Sequence, residues 1–171
     1  GRTCNMDEIN NIAKKYNLLI IEDAAQGLGS LFKGKMAGTF GLAGTYSFYP
    51  AKVLGCYGDG GAVITNDIQI AEKIMLLRDH GRDENGEFKT WGFNSRLDNL
   101  QAAILLEKFK TFDEDIARRR AIAEIYNNEI NVGQNINLPP GPATEGLYFD
   151  TYQNYELRAN KRDKLKAYLS E

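Results

Sequence analysis

The sequence has one histidine, His80, and two cysteines, Cys4 and Cys56. A single histidine argues against a multi-histidine metal site and makes a histidine-based catalytic triad a poor fit. The cysteines have no metal-ligand spacing and read as reduced thiols of a cytoplasmic protein. No apolar run is long enough to span a membrane, and no stretch has the form of a signal peptide. A net charge of −2 offers no basic surface for nucleic acid. The glycines between Gly27 and Gly44 fit neither GxGxxG nor a P-loop, so phosphate loops of those types are rejected there. What remains is ordinary soluble composition, 43% hydrophobic and 26% charged. The 171 residues suffice for one sizeable core, or one core and part of another.

Two stretches carry chemistry. Gly44-Thr45-Tyr46-Ser47-Phe48-Tyr49 reads as a short buried strand, stopped by Pro50, which has no N–H for a ladder. Lys52 follows in a largely apolar, small-residue setting. Burial disfavours an ammonium, and a neutral amine forms a Schiff base with an aldehyde. The plain alternative for Lys52 is a surface lysine at a strand end. Leu18 to Glu22 reads as a second strand, apolar on both faces, as in parallel sheets. Asp23 ends it, where ligands bind in open α/β sheets. A carboxylate there can keep a ring nitrogen protonated, and its plain alternative is a solvated acid.

The rest of the chain supplies a frame. Asn5 or Asp7 caps a helix over Glu8 to Tyr16, and Asn66-Asp67 caps another with Ile70, Ala71, Ile74 and Leu77 as its apolar stripe. Gly34-Lys35 is a turn candidate within a glycine-spaced loop. His80 to Glu87 is a surface loop. Further helices run from Ser95 or Asp98 to Phe109, and from about Asp113 to Glu129. Arg118-Arg119-Arg120 reads as a solvated helix face rather than a nucleic-acid contact. Val132 to Gly146 is a connecting loop, Tyr152 to Arg158 alternates like a strand, and Arg162 to Leu169 like an amphipathic helix.

Six motifs in order carry a resemblance over nearly the whole chain. They are Glu22-Asp23-Ala24-Ala25-Gln26, Gly34-Lys35 with Gly38 and Gly41, Ser47-Phe48-Tyr49-Pro50-Ala51-Lys52, Gly60-Gly61-Ala62-Val63, Gly92-Phe93-Asn94-Ser95-Arg96-Leu97, and Leu100-Gln101-Ala102-Ala103. Together they resemble the pyridoxal-phosphate sugar aminotransferases of the DegT/DnrJ/EryC1/StrS family.

The resemblance implies an α/β fold of the fold-type I transferase class. Residues 1–112 would form the later part of a large domain with a central, mostly parallel sheet. Residues 113–171 would begin a smaller α+β domain. It also implies an interior stretch of a longer protein, whose front part supplies a phosphate loop and a ring-stacking residue. The implied cofactor is pyridoxal 5'-phosphate. The implied reaction moves an amino group from L-glutamate to a nucleotide-linked keto-sugar, for amino-sugar or polysaccharide synthesis, in a cytoplasmic homodimer with shared active sites.

Roles carry over by position. Lys52 is the implied Schiff-base lysine and general base, and Asp23 the partner of the ring nitrogen. Gln26 bonds near the ring hydroxyl, and Ser47 bonds the phosphate. Asn94 reaches the partner subunit's phosphate, with Arg96 supporting its loop or forming an internal ion pair. Dehydratase relatives carry histidine where this chain has Lys52, which favours amino transfer. Ala51 departs from the usual Ser, Thr or Gly and removes one phosphate donor. The alternatives are a non-catalytic or regulatory protein of the same fold, or a stretch that does not bind cofactor alone.

Overall fold

The computed structural model describes residues 1–130, 133, 135–143 and 145–171. Helix α1 (Met6–Tyr16) starts at Asn5, whose Oδ1 accepts the Glu8 N–H while its Nδ2 donates to Glu8 Oε1. This reciprocal pair satisfies a helix-end donor. Acids in the first turn and lysines in the last suit the helix dipole. Asn17, in the left-handed region at φ 51°, ends the helix.

Strand β1 (Ile21–Asp23) follows, then a hairpin of β2 (Leu31–Phe32) and β3 (Lys35–Met36). Lys33 and Gly34, both at positive φ, make its turn. Strands β4 (Ala43–Ser47) and β5 (Gly61–Thr65) complete the main sheet, in the order β1-β4-β5. β1 runs parallel to β4, with Asp23 opposite Thr45. β5 runs antiparallel to β4, with Gly61 opposite Ser47, so the sheet is mixed. Gly44 is required where β4 meets the loop before it, because a Cβ there would lie 2.1 Å from the Gly38 carbonyl oxygen.

The apolar run before Asp23 departs from expectation. Only Ile21–Asp23 is strand, and Leu18, Leu19 and Ile21 are exposed, Leu19 at 80%. Among the described residues β1 pairs only with β4.

Helix α2 (Ile68–Leu77) is capped by Asp67, whose Oδ1 accepts the N–H groups of Gln69 and Ile70. Helices α3 (Asn99–Phe109) and α4 (Phe112–Glu129) match the expected pair. One core cluster joins Val53, Leu54 and Cys56 to Leu105, Phe112 and Ile116, with Phe149 packed against it. This cluster crosses the expected division after residue 112.

The arginine run of α4 is not a solvated face throughout. Arg118 is exposed. Arg119 Nη1 donates to the Tyr152 and Gln153 carbonyls, each at 3.3 Å. Arg120 donates to the Asp150 carbonyl at 2.8 Å and lies 4.1 Å from the Phe149 ring centre. The two arginines supply donors to backbone that runs outside any ladder.

Strand β6 (Ile136–Asn137) pairs antiparallel with β8 (Arg158–Ala159), and β7 (Tyr148–Phe149) joins β2. Of the expected loop from Val132 to Gly146, Val132, Gln134 and Thr144 lie outside the described residues. Tyr152 to Leu157 is not a strand: Tyr152 sits at φ 50°, and the Tyr152 and Gln153 carbonyls accept from the Arg119 side chain rather than from a neighbouring strand. Helix α5 (Arg162–Leu169) closes the chain as its pattern predicts.

Candidate active site

The parallel pair β1 and β4 brings two chain segments to one end of the sheet. The Ala24 N–H donates to the Thr45 carbonyl at 3.0 Å, extending the pairing one residue past β1. Asp23 sits there, exposed, with Oδ1 accepting the Ala25 N–H at 3.1 Å. That bond fixes the side chain at the turn and leaves a carboxylate facing solvent. Side chains alternate along a strand, so Glu22 points to the opposite face. Glu22 Oε1 accepts the Phe40 and Gly41 N–H groups at 2.5 and 2.7 Å, and Oε2 accepts the Gly38 N–H at 2.7 Å. Sequence reasoning assigned Glu22 no role. The available signal was an acid followed by a loop whose glycines let N–H groups converge on it. Beside it, burial pushes the Tyr46 hydroxyl pKa up, and the Glu22 charge adds to the shift.

Lys52 lies in a loop that folds back on itself between β4 and β5. Ser47 is half-buried, and its Oγ accepts the Tyr49 N–H at 3.3 Å. The Lys52 N–H donates to the Tyr49 carbonyl at 2.9 Å. Phe48 N–H donates to the Gly60 carbonyl, and Cys56 N–H to the Phe48 carbonyl, each at 2.8 Å. The fully buried Cys56 thiol donates to the Phe48 and Gly58 carbonyls at 2.9 and 3.1 Å. Two groups from α3 hold the far side, Gln101 Oε1 accepting the Tyr57 N–H and Lys108 Nζ donating to the Gly55 carbonyl. Val53, Leu54 and Cys56 thus enter the core while Lys52 stays half-buried.

A cavity of about 340 Å³ is lined by Asp23, Gln26, Ile20, Ile21 and residues at the start of α1. Gln26 also borders a larger cavity of about 640 Å³ with Asp150, Tyr152 and Arg158. Burial pushes the Asp150 carboxyl pKa up, against the opposing pull of Arg2. Asp23 and Gln26 are therefore gathered at one cavity, whereas Lys52 and Ser47 do not line either. Among the described residues no group of side chains has the make-up of a metal site.

Asn94 stands apart. It forms an isolated antiparallel bridge with Asp79 and is exposed. Its Oδ1 accepts from Arg96 Nη2 at 2.9 Å, while Arg96 Nη1 lies 3.2 Å from Asp79. Arg96 thus makes the internal ion pair and also hydrogen-bonds Asn94 within this chain. Arg82 Nη2 donates to the same Asp79 oxygen at 2.8 Å. That hydrogen bond, with the nearby arginine charges, holds the Asp79 pKa below its ordinary value.

The model of the DegT/DnrJ/EryC1/StrS aminotransferase family matches residues 1–171. A pleiotropic regulatory protein of Geobacillus stearothermophilus is 44% identical over all of this chain and 46% of its own length. A UDP-2-acetamido-2-deoxy-3-oxo-D-glucuronate aminotransferase of Pseudomonas aeruginosa is 40% identical over 99% of this chain and 46% of its own. The crystal structure of a DegT DnrJ EryC1 StrS aminotransferase from Brucella abortus superposes with a TM-score of 0.87 at 40% identity, over 98% of this chain and 44% of that one. The chain spans less than half the length of these relatives.

Proposed function

Because this chain belongs to the DegT/DnrJ/EryC1/StrS aminotransferase family, we propose that the protein carrying it moves an amino group from glutamate to a nucleotide-linked keto-sugar, using pyridoxal 5'-phosphate. The carrying observation is the pairing of β1 with β4, which sets exposed Asp23 beside the strand that leads through Ser47 to Lys52. The printed activity of the Pseudomonas aeruginosa relative supports the nucleotide-sugar substrate class.

The residues suit the cofactor's chemistry. Asp23 offers a carboxylate for a protonated ring nitrogen, Gln26 an amide at the same cavity, and Ser47 a hydroxyl for a phosphate oxygen. When bound, pyridoxal phosphate supplies an aldehyde and an electron-accepting ring. Asp23 holds the proton on that ring nitrogen. Lys52 Nζ is the amine that secures the group. Once freed, it moves a proton to and from the carbon that bears the amino group. With the group bound, these residues would serve an exchange in which glutamate leaves as its 2-oxo acid and the sugar's keto oxygen is replaced by the amino group.

Asn94 serves the partner subunit's site in a homodimer. Exposed Phe88, Trp91 and Phe93 around it supply apolar surface for that contact, Trp91 being 95% exposed. Residues 1–112 belong to the large domain and 113–171 open the smaller one, with the shared core cluster as their junction. The setting is cytoplasmic amino-sugar or polysaccharide synthesis. Among the described residues, no helix is long and apolar enough to cross a membrane.

The test is an absorbance spectrum of the protein with pyridoxal phosphate, before and after glutamate. A visible band is expected, moving to the near ultraviolet with glutamate and absent from Lys52→Ala. An unchanged band in that variant would remove Lys52 from the role. A wild-type band that ignores glutamate would overturn the transfer.

A further inference from the structure

We infer that Gln153 is a positioning residue for Lys52, acting through the two peptide groups that flank it. The inference rests on the reading of Lys52 given above. Gln153 Oε1 accepts the Val53 N–H at 2.9 Å, across one hundred residues of sequence. Gln153 Nε2 donates to the Ala51 carbonyl at 2.7 Å. One carboxamide therefore uses both of its ends on the residues just before and just after Lys52. Among natural side chains only asparagine and glutamine carry a donor and an acceptor on one planar amide. With both flanking peptides held, the Lys52 Cα cannot shift without breaking one of these bonds.

The other restraints on the loop act elsewhere. Cys56, Gln101 and Lys108 fix positions 48, 55, 57 and 58. Within residues 51–53, Gln153 is the only side chain among the described residues that bonds the backbone.

Gln153 is itself held from two sides. The Arg119 guanidinium, on α4, donates to the carbonyls of both Tyr152 and Gln153. Tyr152 is buried at φ 50°, and its hydroxyl donates to the Pro140 carbonyl at 2.7 Å. A non-glycine residue in this left-handed conformation persists only where its surroundings enforce it. Here it turns the chain so that the next side chain reaches the lysine loop. Restraint thus passes from α4 through a strained tyrosine to the peptides around Lys52.

Lys52 must present its amine in one place to hold the cofactor and to carry a proton. Misplacement by about 1 Å costs on the order of a hundredfold in rate. A residue that only positions such a base lowers the rate at saturation and leaves half-saturation nearly unchanged.

The experiment compares Gln153→Met with Gln153→Glu in the protein that carries this sequence. Methionine keeps the length and loses both bonds, while glutamate keeps the acceptor for Val53. Without cofactor, amide hydrogen exchange at Val53 is expected to rise at least tenfold in Gln153→Met and to stay near wild type in Gln153→Glu. With cofactor, the saturating rate of the glutamate half-reaction is expected to fall roughly 10- to 100-fold in Gln153→Met. The half-saturating glutamate concentration should change by less than about twofold, and Gln153→Glu should recover part of the rate. Unchanged Val53 exchange in Gln153→Met overturns the inference, as does faster exchange throughout the molecule, which marks a general loss of fold. A wild-type rate in Gln153→Met, with Lys52→Ala devoid of the visible band, also overturns it while the Lys52 reading stands. A band retained in Lys52→Ala removes Lys52 itself, and positioning of Lys52 falls with it.

Discussion

Glu22 and Asp23 are adjacent carboxylates with opposite employment. Glu22 collects three backbone N–H groups from the loop over β4, at 2.5 to 2.7 Å. Asp23 engages one N–H of its own turn and is otherwise open to solvent. Removing an acceptor from partly buried donors costs about 1–3 kcal/mol for each stranded group, and the three are not additive. Glu22→Ala is therefore expected to lower the free energy of unfolding by about 2–4 kcal/mol. Asp23→Ala, at an exposed position, is expected to change it by less than about 0.5 kcal/mol. Urea denaturation measures both. The proposed roles also predict that Asp23→Ala loses pyridoxal phosphate on dialysis although its fold is intact. A stable Asp23→Ala that retains the cofactor as wild type does would separate Asp23 from the ring nitrogen.

At the scale of elements, the segment between α2 and α3 is organised by charge rather than by apolar packing. Phe88, Trp91 and Phe93 are exposed, whereas Asp79 receives both Arg82 and Arg96. The hydrogen bond from Arg82 is the largest cause of the lowered Asp79 pKa. A carboxyl whose pKa is lowered by folding binds its proton less readily folded than unfolded. Its contribution is present above the ordinary value of 3.8 and is lost as pH falls through the lower folded value. Asp83, lowered chiefly by the Glu87 N–H, acts with the same sign at the other end of the segment. The Phe93 N–H, which donates to the Leu77 carbonyl at 2.7 Å, reports on the Asp79 end. Its protection from hydrogen exchange is expected to drop below about pH 4 in wild type. Asp79→Asn, which cannot titrate, should give a flatter profile over that range. Identical profiles would show that Asp79 does not organise the segment.

At the scale of the molecule, one core joins the lysine loop to the helices that follow it. Ile116 on α4 is 5% exposed and clusters with Val53, Leu54 and Cys56. Truncating a buried isoleucine to alanine costs about 2–5 kcal/mol, through lost transfer energy and the cavity left behind. Ile116→Ala is expected to lose that amount. Because the cluster is shared, the loss should appear in one cooperative transition, with the same midpoint by circular dichroism and by Val53 exchange. Two separated transitions would show that α4 and the lysine loop fold independently, and would favour a true boundary after residue 112.

The sequence by itself determined the helices, the two long strands and the order of the motifs. Their signals are local. Asn5 and Asp67 cap and Gly34 turns, each through its own backbone geometry, whereas the strand expected to run up to Pro50 ends earlier, at Ser47. The proposal of Asp23, Gln26, Ser47, Lys52 and Asn94 as site residues came from their types and order, because chemistry restricts which side chains can serve such roles. Only the tertiary structure decided which groups act between distant segments. Glu22 as an anchor for the loop over β4, Arg119 and Arg120 as donors to irregular backbone, and Gln153 against the lysine loop all depend on separations in space. A polar side chain has the same local signature whether it meets water or a carbonyl a hundred residues away, and only the folded chain distinguishes the two.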